Sequence, residues 1–263
     1  MPATMLIHVV ADYGAGDLAF AEVAQRLARH LEGATVAATP VPPFDTLSAG
    51  FCIGQLALTE GPADRVVFHN VAPRADEDDP RPGNEGEELV AAWTDAGTLV
   101  VGPHAGYVLS FLRGRLGRAS AVELPAGGSQ FRSRDFFPAV AAELAAGDER
   151  SLGRPLDPEA IPPVPAESVV YVDGYGNLKT SWSDLPAPSG TKVAVTIGDR
   201  SHLATVSDGT FEVADRELSF APGSSGWPLA SGEERRFYEL LLRGGSAAEL
   251  FGGPAAGDRV RLG

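Results

Sequence analysis

The chain has 263 residues, 44% of them hydrophobic and 21% charged, which is a globular composition and excludes a wholly disordered protein. Its formal net charge of −14 argues against nucleic acid and against an anionic membrane surface, because such a field repels phosphate rather than releasing its counterions. A single cysteine, Cys52, excludes an intrachain disulfide and a cysteine-built zinc site, and its apolar surroundings predict a buried structural thiol.

No apolar run reaches the roughly 20 residues needed to span a bilayer, and Met1 to Val10 lacks the basic region and cleavable apolar stretch of a leader. The cytoplasm is the expected location. In chain order, Met5 to Val10 reads as a buried strand ending at Ala11-Asp12-Tyr13-Gly14. Asp17 to Leu31 carries Leu18, Val23, Leu27 and Leu31 at helical spacing, with Asp17 placed to cap the helix. Ala34 to Ala38 is a second strand, and Phe44 to Leu58 a second helix after Pro40, Pro42 and Pro43. Arg65 to Phe68 and Leu99 to Gly102 are strand candidates, Val108 to Leu112 a short helix, and Phe136 to Ala146 a longer one stopped by Gly147. The alternation predicts an α/β domain with a largely parallel sheet over residues 1–153. Arg74 to Glu88, rich in Asp, Glu, Pro and Gly, reads as a flexible loop or lid.

A proline-rich linker over 154–166 then marks a domain boundary. Beyond it, Ser168 to Val172, Lys192 to Ile197, His202 to Val206, Glu217 to Phe220 and Arg259 to Leu262 read as short strands. One helix is expected among them, around Glu233 to Leu242. The prediction for 167–263 is a small all-β barrel domain.

Three stretches are able to carry chemistry. Asp12-Tyr13-Gly14-Ala15-Gly16-Asp17 places a Gly-rich turn between strand and helix, where open α/β sheets bind ligands. Asp12 suits a ribose diol, while Asp17 either caps the helix or pairs with a cationic ligand. The spacing is not that of a dinucleotide fingerprint. Ser129-Gln130-Phe131-Arg132-Ser133-Arg134-Asp135-Phe136 crowds two arginines and serines at a helix start, which favours an anion or a simple capping box. Tyr171 to Thr180 contains Asp173-Gly174-Tyr175-Gly176-Asn177, explained either as a hairpin turn or as an acceptor and an amide for an ammonium and an adenine edge.

Taken in order, these stretches resemble the family of S-adenosyl-L-methionine hydroxide adenosyltransferases, fluorinases and chlorinases. That family's Asp-Phe-Gly-x-x-Asp is similar to Asp12 through Asp17, its Thr-Pro-aromatic-Asp to Pro42-Pro43-Phe44-Asp45, and its Ser/Thr-Phe-x-Gly/Ser-Arg-Asp to Gln130 through Asp135. Its Asp-x-Phe-Gly-Asn-x-x-Thr-Asn is similar to Asp173 through Ser181, and its final strands to Gly223-Ser224-Ser225-Gly226, Glu239 to Glu249 and Gly257-Asp258. The resemblance implies an N-terminal α/β domain, a C-terminal barrel and a homotrimer with sites between subunits. It implies a small-molecule nucleoside ligand with S-adenosyl-L-methionine as substrate; no separate cofactor is expected, and no His, Asp or Glu spacing in the sequence demands a metal. By position, Asp12 would hold the ribose, Phe44 would pack on the ligand, and Phe131 and Ser133 would line C5′. Asp173 would take the methionine ammonium, Tyr175 would stack on adenine, Asn177 would bond its edge, and Ser224 and Ser225 would meet the carboxylate.

The family's hydrolytic Asp, Arg and His are replaced. Asn70 falls at the Asp position within Phe68-His69-Asn70-Val71-Ala72-Pro73, Arg132 at the His position, and Arg74 or Arg81 near the Arg position. Pro103-His104-Ala105-Gly106 stands for the family's Pro-Asn/Asp-Asn-Gly. Asn70, Arg132 and Ser133 are therefore the catalytic candidates. Ser133 and Arg132 lean toward a halide pocket, whereas His69 or His104 offers another route to activating water. Three readings stay open: cleavage of S-adenosyl-L-methionine by water or halide, a non-catalytic binder of that ligand or adenosine, and an enzyme for a different 5′-substituted nucleoside.

Overall fold

The structure is a computed structural model, and it describes residues 5–73, 86–124, 129–184 and 186–263. The chain divides into two compact units, Met1–Pro163 and Val164–Gly263. Among the described residues no helix is long and apolar enough to cross a membrane.

The first unit is built on a seven-stranded sheet ordered β2-β1-β3-β5-β4-β6-β7. Its strands are β1 (Leu6–Ala11), β2 (Thr35–Pro40), β3 (Arg65–Asn70), β4 (Leu89–Thr94), β5 (Leu99–Pro103), β6 (Leu116–Val122) and β7 (Leu152–Pro155). β2, β1, β3 and β5 run parallel, while β4, β6 and β7 are joined antiparallel. The sheet is thus mixed, which corrects the expectation of a largely parallel one. The cause is local: Asp95-Ala96-Gly97-Thr98 turns β4 straight back into β5, with Gly97 at φ 87 and its N–H donated to the Thr94 carbonyl at 2.9 Å.

Helix α1 (Leu18–His30) starts where Asp17 accepts the Ala19 N–H at 2.8 Å. It buries Val23 and Leu27 against Ile7, Val9, Val66 and Phe68, on the same sheet face as Phe137 and Val140 of α4 (Phe137–Ala145). Helix α2 (Thr46–Leu58) begins at Asp45 rather than at Phe44, because the Asp45 carboxylate accepts both the Ser48 N–H at 2.8 Å and the Ser48 hydroxyl at 2.6 Å. It is apolar nearly all round and largely buried, Cys52 included. A short 3-10 helix covers Ser110–Arg115. The proline-rich stretch is not a bare linker. Its start is the end of β7, Asp157 caps a 3-10 turn at Pro158–Ala160, and Arg113 donates to the Ile161 carbonyl at 2.6 Å.

The second unit is a seven-stranded sheet ordered β14-β10-β11-β12-β13-β9-β8. The strands are β8 (Val169–Val172), β9 (Leu178–Thr180), β10 (Lys192–Ile197), β11 (Arg200–Val206), β12 (Leu218–Pro228), β13 (Glu234–Leu242) and β14 (Val260–Leu262). Its two edges meet: the Val169 N–H donates to the Asp258 carbonyl at 2.9 Å, the Val260 N–H to the Glu167 carbonyl at 2.6 Å, and Ser168 bridges Arg259. The sheet nearly closes on itself around Val169, Leu178, Val195, Phe220 and Leu240, which removes exposed edges. The helix expected over Glu233 to Leu242 is strand β13 instead. Its Glu, Arg and Leu residues favour a helix locally, but pairing with β12 from Pro228 to Leu218 and ring contacts of Phe237 with Trp227 and Tyr238 with Phe220 override that preference. Among the described residues the unit's α-helix is the short α5 (Ala247–Leu250), capped by Ser246.

Candidate functional site

In the first unit the chain leaves β1 for β2 on one side and crosses to β3 on the other, so the carboxyl ends of β1 and β3 flank a topological switch point. Ala11 pairs with Asn70 there, placing Asp12 and Asn70 at the same end of adjacent strands. The Asp12 Oδ2 accepts the Phe44 N–H at 2.9 Å, across 32 residues of sequence. Its Oδ1 has no hydrogen-bond partner among the described residues. Phe44 sits at φ 62, the left-handed region that a bulky residue rarely adopts, and its ring is half exposed. Strain of this kind costs about 1–3 kcal/mol and persists where the surroundings hold it; the Asp12 bond is one such hold. Asp17, which also stood as a ligand candidate, uses its Oδ1 to cap α1.

Beside Asp12, Tyr13 joins the sheet end to a four-residue helix, α3 (Arg132–Asp135). The Tyr13 hydroxyl lies 2.7 Å from Ser133 Oγ, and its ring packs edge-on to Phe20 at 5.1 Å and to Phe131 at 5.8 Å. Ser133 is buried. The helix start expected at Ser129 is a turn: the Ser129 hydroxyl accepts the Phe131 N–H at 3.0 Å and bonds the Asp135 carboxylate. Arg132 donates to the Glu87 carbonyl at 3.1 Å and lies over the Phe137 ring. Arg134 pairs with Asp135 at 2.8 Å and with Glu22 at 3.2 Å, its guanidinium 4.8 Å from the Phe131 ring centre. Sequence reading missed the Tyr13–Ser133 bond, since nothing in a Tyr-Gly turn announces a partner 120 residues away.

Asn70 closes β3 partly exposed, with no side-chain hydrogen bond to a described residue. His69 before it is buried on the opposite sheet face, and its Nδ1 lacks a partner among the described residues. The ring lies against Gly102, where a methyl group would collide with it. Burial, with a smaller push from His104, holds the His69 imidazole down to about 3, so it is neutral at physiological pH. Burial also lowers His104, opposed by Glu88 and assisted by Arg154. Arg74 and Arg81 lie outside the described residues, as does most of the expected lid. Among the described residues no group of three or more His, Cys, Asp or Glu side chains is arranged to hold a metal ion.

In the second unit the candidates divide differently. Asp173 accepts the N–H groups of Tyr175 at 2.9 Å and Asn177 at 3.0 Å, and its other oxygen accepts the Asn177 side-chain amide at 2.9 Å. The turn reading therefore accounts for both side chains. Tyr175 projects, 84% exposed, leaving an aromatic face open. Ser224 is exposed and Ser225 buried, within a β12 irregularity between Pro222 and Gly226. Next to it, Gly223 lies flat against the Glu239 carboxylate, which forms a buried ion pair with Lys179. That pair was not anticipated; the only sequence hint is a glycine opposite two charged strand residues.

No protein-family model matches the chain, and no curated protein matches it. Solved structures do. An uncharacterized conserved protein from Thermotoga maritima is 21% identical with a TM-score of 0.77, over 98% of this chain and 100% of that one. A conserved hypothetical protein from Thermus thermophilus is 27% identical with a TM-score of 0.70, over 98% and 100%. These likenesses establish the architecture of the chain.

Proposed function

We propose that the carboxyl ends of β1 and β3 bind a nucleoside and that the protein cleaves S-adenosyl-L-methionine at C5′. The observation that carries the reading is the Asp12 carboxylate. One oxygen is fixed on the strained Phe44 backbone, and the other remains to accept from a ribose diol. Phe44 supplies an apolar surface beside it, and Phe131 with the Tyr13–Ser133 pair supplies a wall on which C5′ would lie. In the reaction the nucleophile forms a bond to C5′ as the C5′–S bond breaks and its electron pair returns to sulfur, giving methionine. With water the lost proton goes to solvent and the product is adenosine; with a halide the product is 5′-halo-adenosine. The sulfonium leaves readily, so alignment and removal of water supply the acceleration. Neither Asn70 nor the neutral His69, held near 3, is an effective base, which fits a mechanism that needs little proton abstraction. The exposed Tyr175 retains the face that the resemblance assigns to adenine, and a homotrimer belongs to the same reading.

The second reading, a non-catalytic binder of S-adenosyl-L-methionine or adenosine, has its own observation. Ser133 is bonded to Tyr13 and Arg132 to the Glu87 carbonyl, so both candidates for a nucleophile pocket are already engaged. The test is incubation with S-adenosyl-L-methionine, with and without chloride, bromide or fluoride, read by liquid chromatography, alongside calorimetric binding. Adenosine in every buffer supports hydrolysis. A halide-dependent product that falls in Ser133→Ala supports the halide route. Binding without product supports the binder, and absence of binding to both ligands sinks both readings.

A further inference from the structure

A cavity of about 490 Å³ opens on the first unit and is lined by Glu22, Gln25, Arg26, Arg29 and Arg134. The first four share one face of α1, at spacings of three, one and three, and Arg134 arrives from α3. Positive charge is scarce in this chain, with 21 Lys and Arg against 35 Asp and Glu, yet three of the five lining residues are arginines. Arg134 is shared between Asp135 and Glu22. Arg26 and Arg29 form no ion pair with a described residue, although Arg26 is close enough to lower the Asp135 carboxyl. Arg29 in the last turn of α1 complements the helix dipole, but that does not explain why Arg26 and Arg134 line the same hollow.

We infer that this cavity is a binding site for a multiply charged oxyanion of the phosphate class, with room for a di- or triphosphate. Against three guanidinium groups stand the carboxylates of Glu22 and Asp135, so the cluster retains positive charge. Guanidinium forks match phosphate oxygens two at a time, which a point charge does not. A chain of hydrogen bonds also links this cavity to Phe131, a wall residue of the proposed nucleoside site. An anion that draws Arg134 from Asp135 alters the carboxylate that Ser129 bonds, and Ser129 holds the Phe131 N–H. The segment 129–135 carries Phe131 and Ser133, so occupancy of the cavity changes how that wall is held. Anion binding here does not require cleavage of S-adenosyl-L-methionine.

The test is calorimetry of the full chain at low ionic strength with inorganic pyrophosphate and with tripolyphosphate. It is repeated with Arg26→Gln/Arg29→Gln and with the control Arg235→Gln/Arg236→Gln. All four positions are exposed, so folding is expected to survive, and circular dichroism checks it. The expected result is binding that weakens at least tenfold in the first pair and holds in the control. No binding, or equal loss in both pairs, overturns the site. Hydrogen exchange over residues 129–135 should change when pyrophosphate is bound; unchanged exchange with bound ligand overturns the link to Phe131.

Discussion

Asp12 and Asp173 occupy equivalent places in the two units. Each follows the first strand of its unit, and each opens a turn with two glycines, Gly14 and Gly16 in one, Gly174 and Gly176 in the other. Their carboxylates are used differently. Asp173 is consumed within four residues by the N–H groups of its own turn and by Asn177. Asp12 reaches across to Phe44 with one oxygen and keeps the other available. A glycine-rich turn opened by an aspartate is thus informative about function only once the destination of each backbone N–H is known. The second unit's turn is a closed hydrogen-bonded object from which Tyr175 projects; the first unit's turn leaves one Asp12 oxygen without a hydrogen-bond partner among the described residues.

The largest expected contrast is in acid. All buried or partly buried histidines with lowered imidazoles, His8, His69 and His104, belong to the first unit. For His69 the folded value of about 3 lies below the ordinary 6.5, so the unfolded chain binds the proton first as pH falls. Stability is full above about 6.5 and is lost progressively toward 3, by up to about 4 kcal/mol if no rearrangement intervenes. Hydrogen exchange followed from pH 7 to about 3.5, a range that brackets most of that loss, should show protection in β1, β3 and β5 fading while β10 to β13 persist. His69→Gln should flatten the pH dependence in the first unit. Equal fading of both units would break the contrast.

The two turns should also differ in their tolerance of a methyl group. Gly176 sits at φ 80, and an added Cβ would run into Ser246, whose own Cβ would lie at 2.8 Å, so the α5 cap cannot step aside. Gly14 at φ 91 has nothing within 4 Å. Gly176→Ala is expected to cost about 2–4 kcal/mol, combining left-handed strain with overpacking, and Gly14→Ala about 1–2 kcal/mol from strain alone. Urea midpoints measured on the two variants decide it; a Gly14 variant as unstable as the Gly176 one would mean that the first turn is packed too.

Replacing the carboxylates themselves separates structure from binding. Asp173→Ala strands two backbone donors and an amide and should lose about 1–3 kcal/mol of stability with little direct effect on ligand affinity of the first unit. Asp12→Ala gives up one exposed bond, about 0.5–1.5 kcal/mol, but should weaken nucleoside binding at least tenfold. Unchanged affinity in Asp12→Ala, measured calorimetrically with adenosine or S-adenosyl-L-methionine, would remove the ribose assignment.

How much of this was legible in the sequence follows from how local each feature is. The helices α1 and α2 announce themselves through apolar spacing and through Asp17 and Asp45, whose caps depend on neighbours two or three residues away. Strands β1, β2, β3, β5 and β10 are short apolar runs that need no partner to be recognised. β6, Leu-Gly-Arg-Ala-Ser-Ala-Val, has neither β-branched density nor strict alternation, and it is a strand because β4 and β7 pair with it. β13 carries helix-forming residues and was overruled by β12. At the candidate site the same division holds. Asp12 and Phe44 sit in recognisable turns, whereas the bond between them, the strain at Phe44 and the buried Nδ1 of His69, unpartnered among the described residues, are products of strand register and of Gly102.

The smallest effect bears most directly on the choice between enzyme and binder. Tyr13 and Ser133 share one hydrogen bond at 2.7 Å in a partly buried setting. Tyr13→Phe and Ser133→Ala should each cost about 1 kcal/mol, and the double variant little more than either single one, giving a coupling of about 1 kcal/mol. That measures the bond in the free protein. Repeating the cycle on ligand affinity asks what the hydroxyl does when the candidate site is filled. A coupling that persists with ligand bound means that Ser133 stays on Tyr13 and shapes the wall without touching a nucleophile. A coupling that collapses in the presence of S-adenosyl-L-methionine or halide means that Ser133 has exchanged Tyr13 for the ligand, which a buried hydroxyl with one donor does only when the new acceptor is at least as good. In the first case the removal of Ser133 should leave product formation unchanged with and without halide; in the second it should lower it only where halide is present.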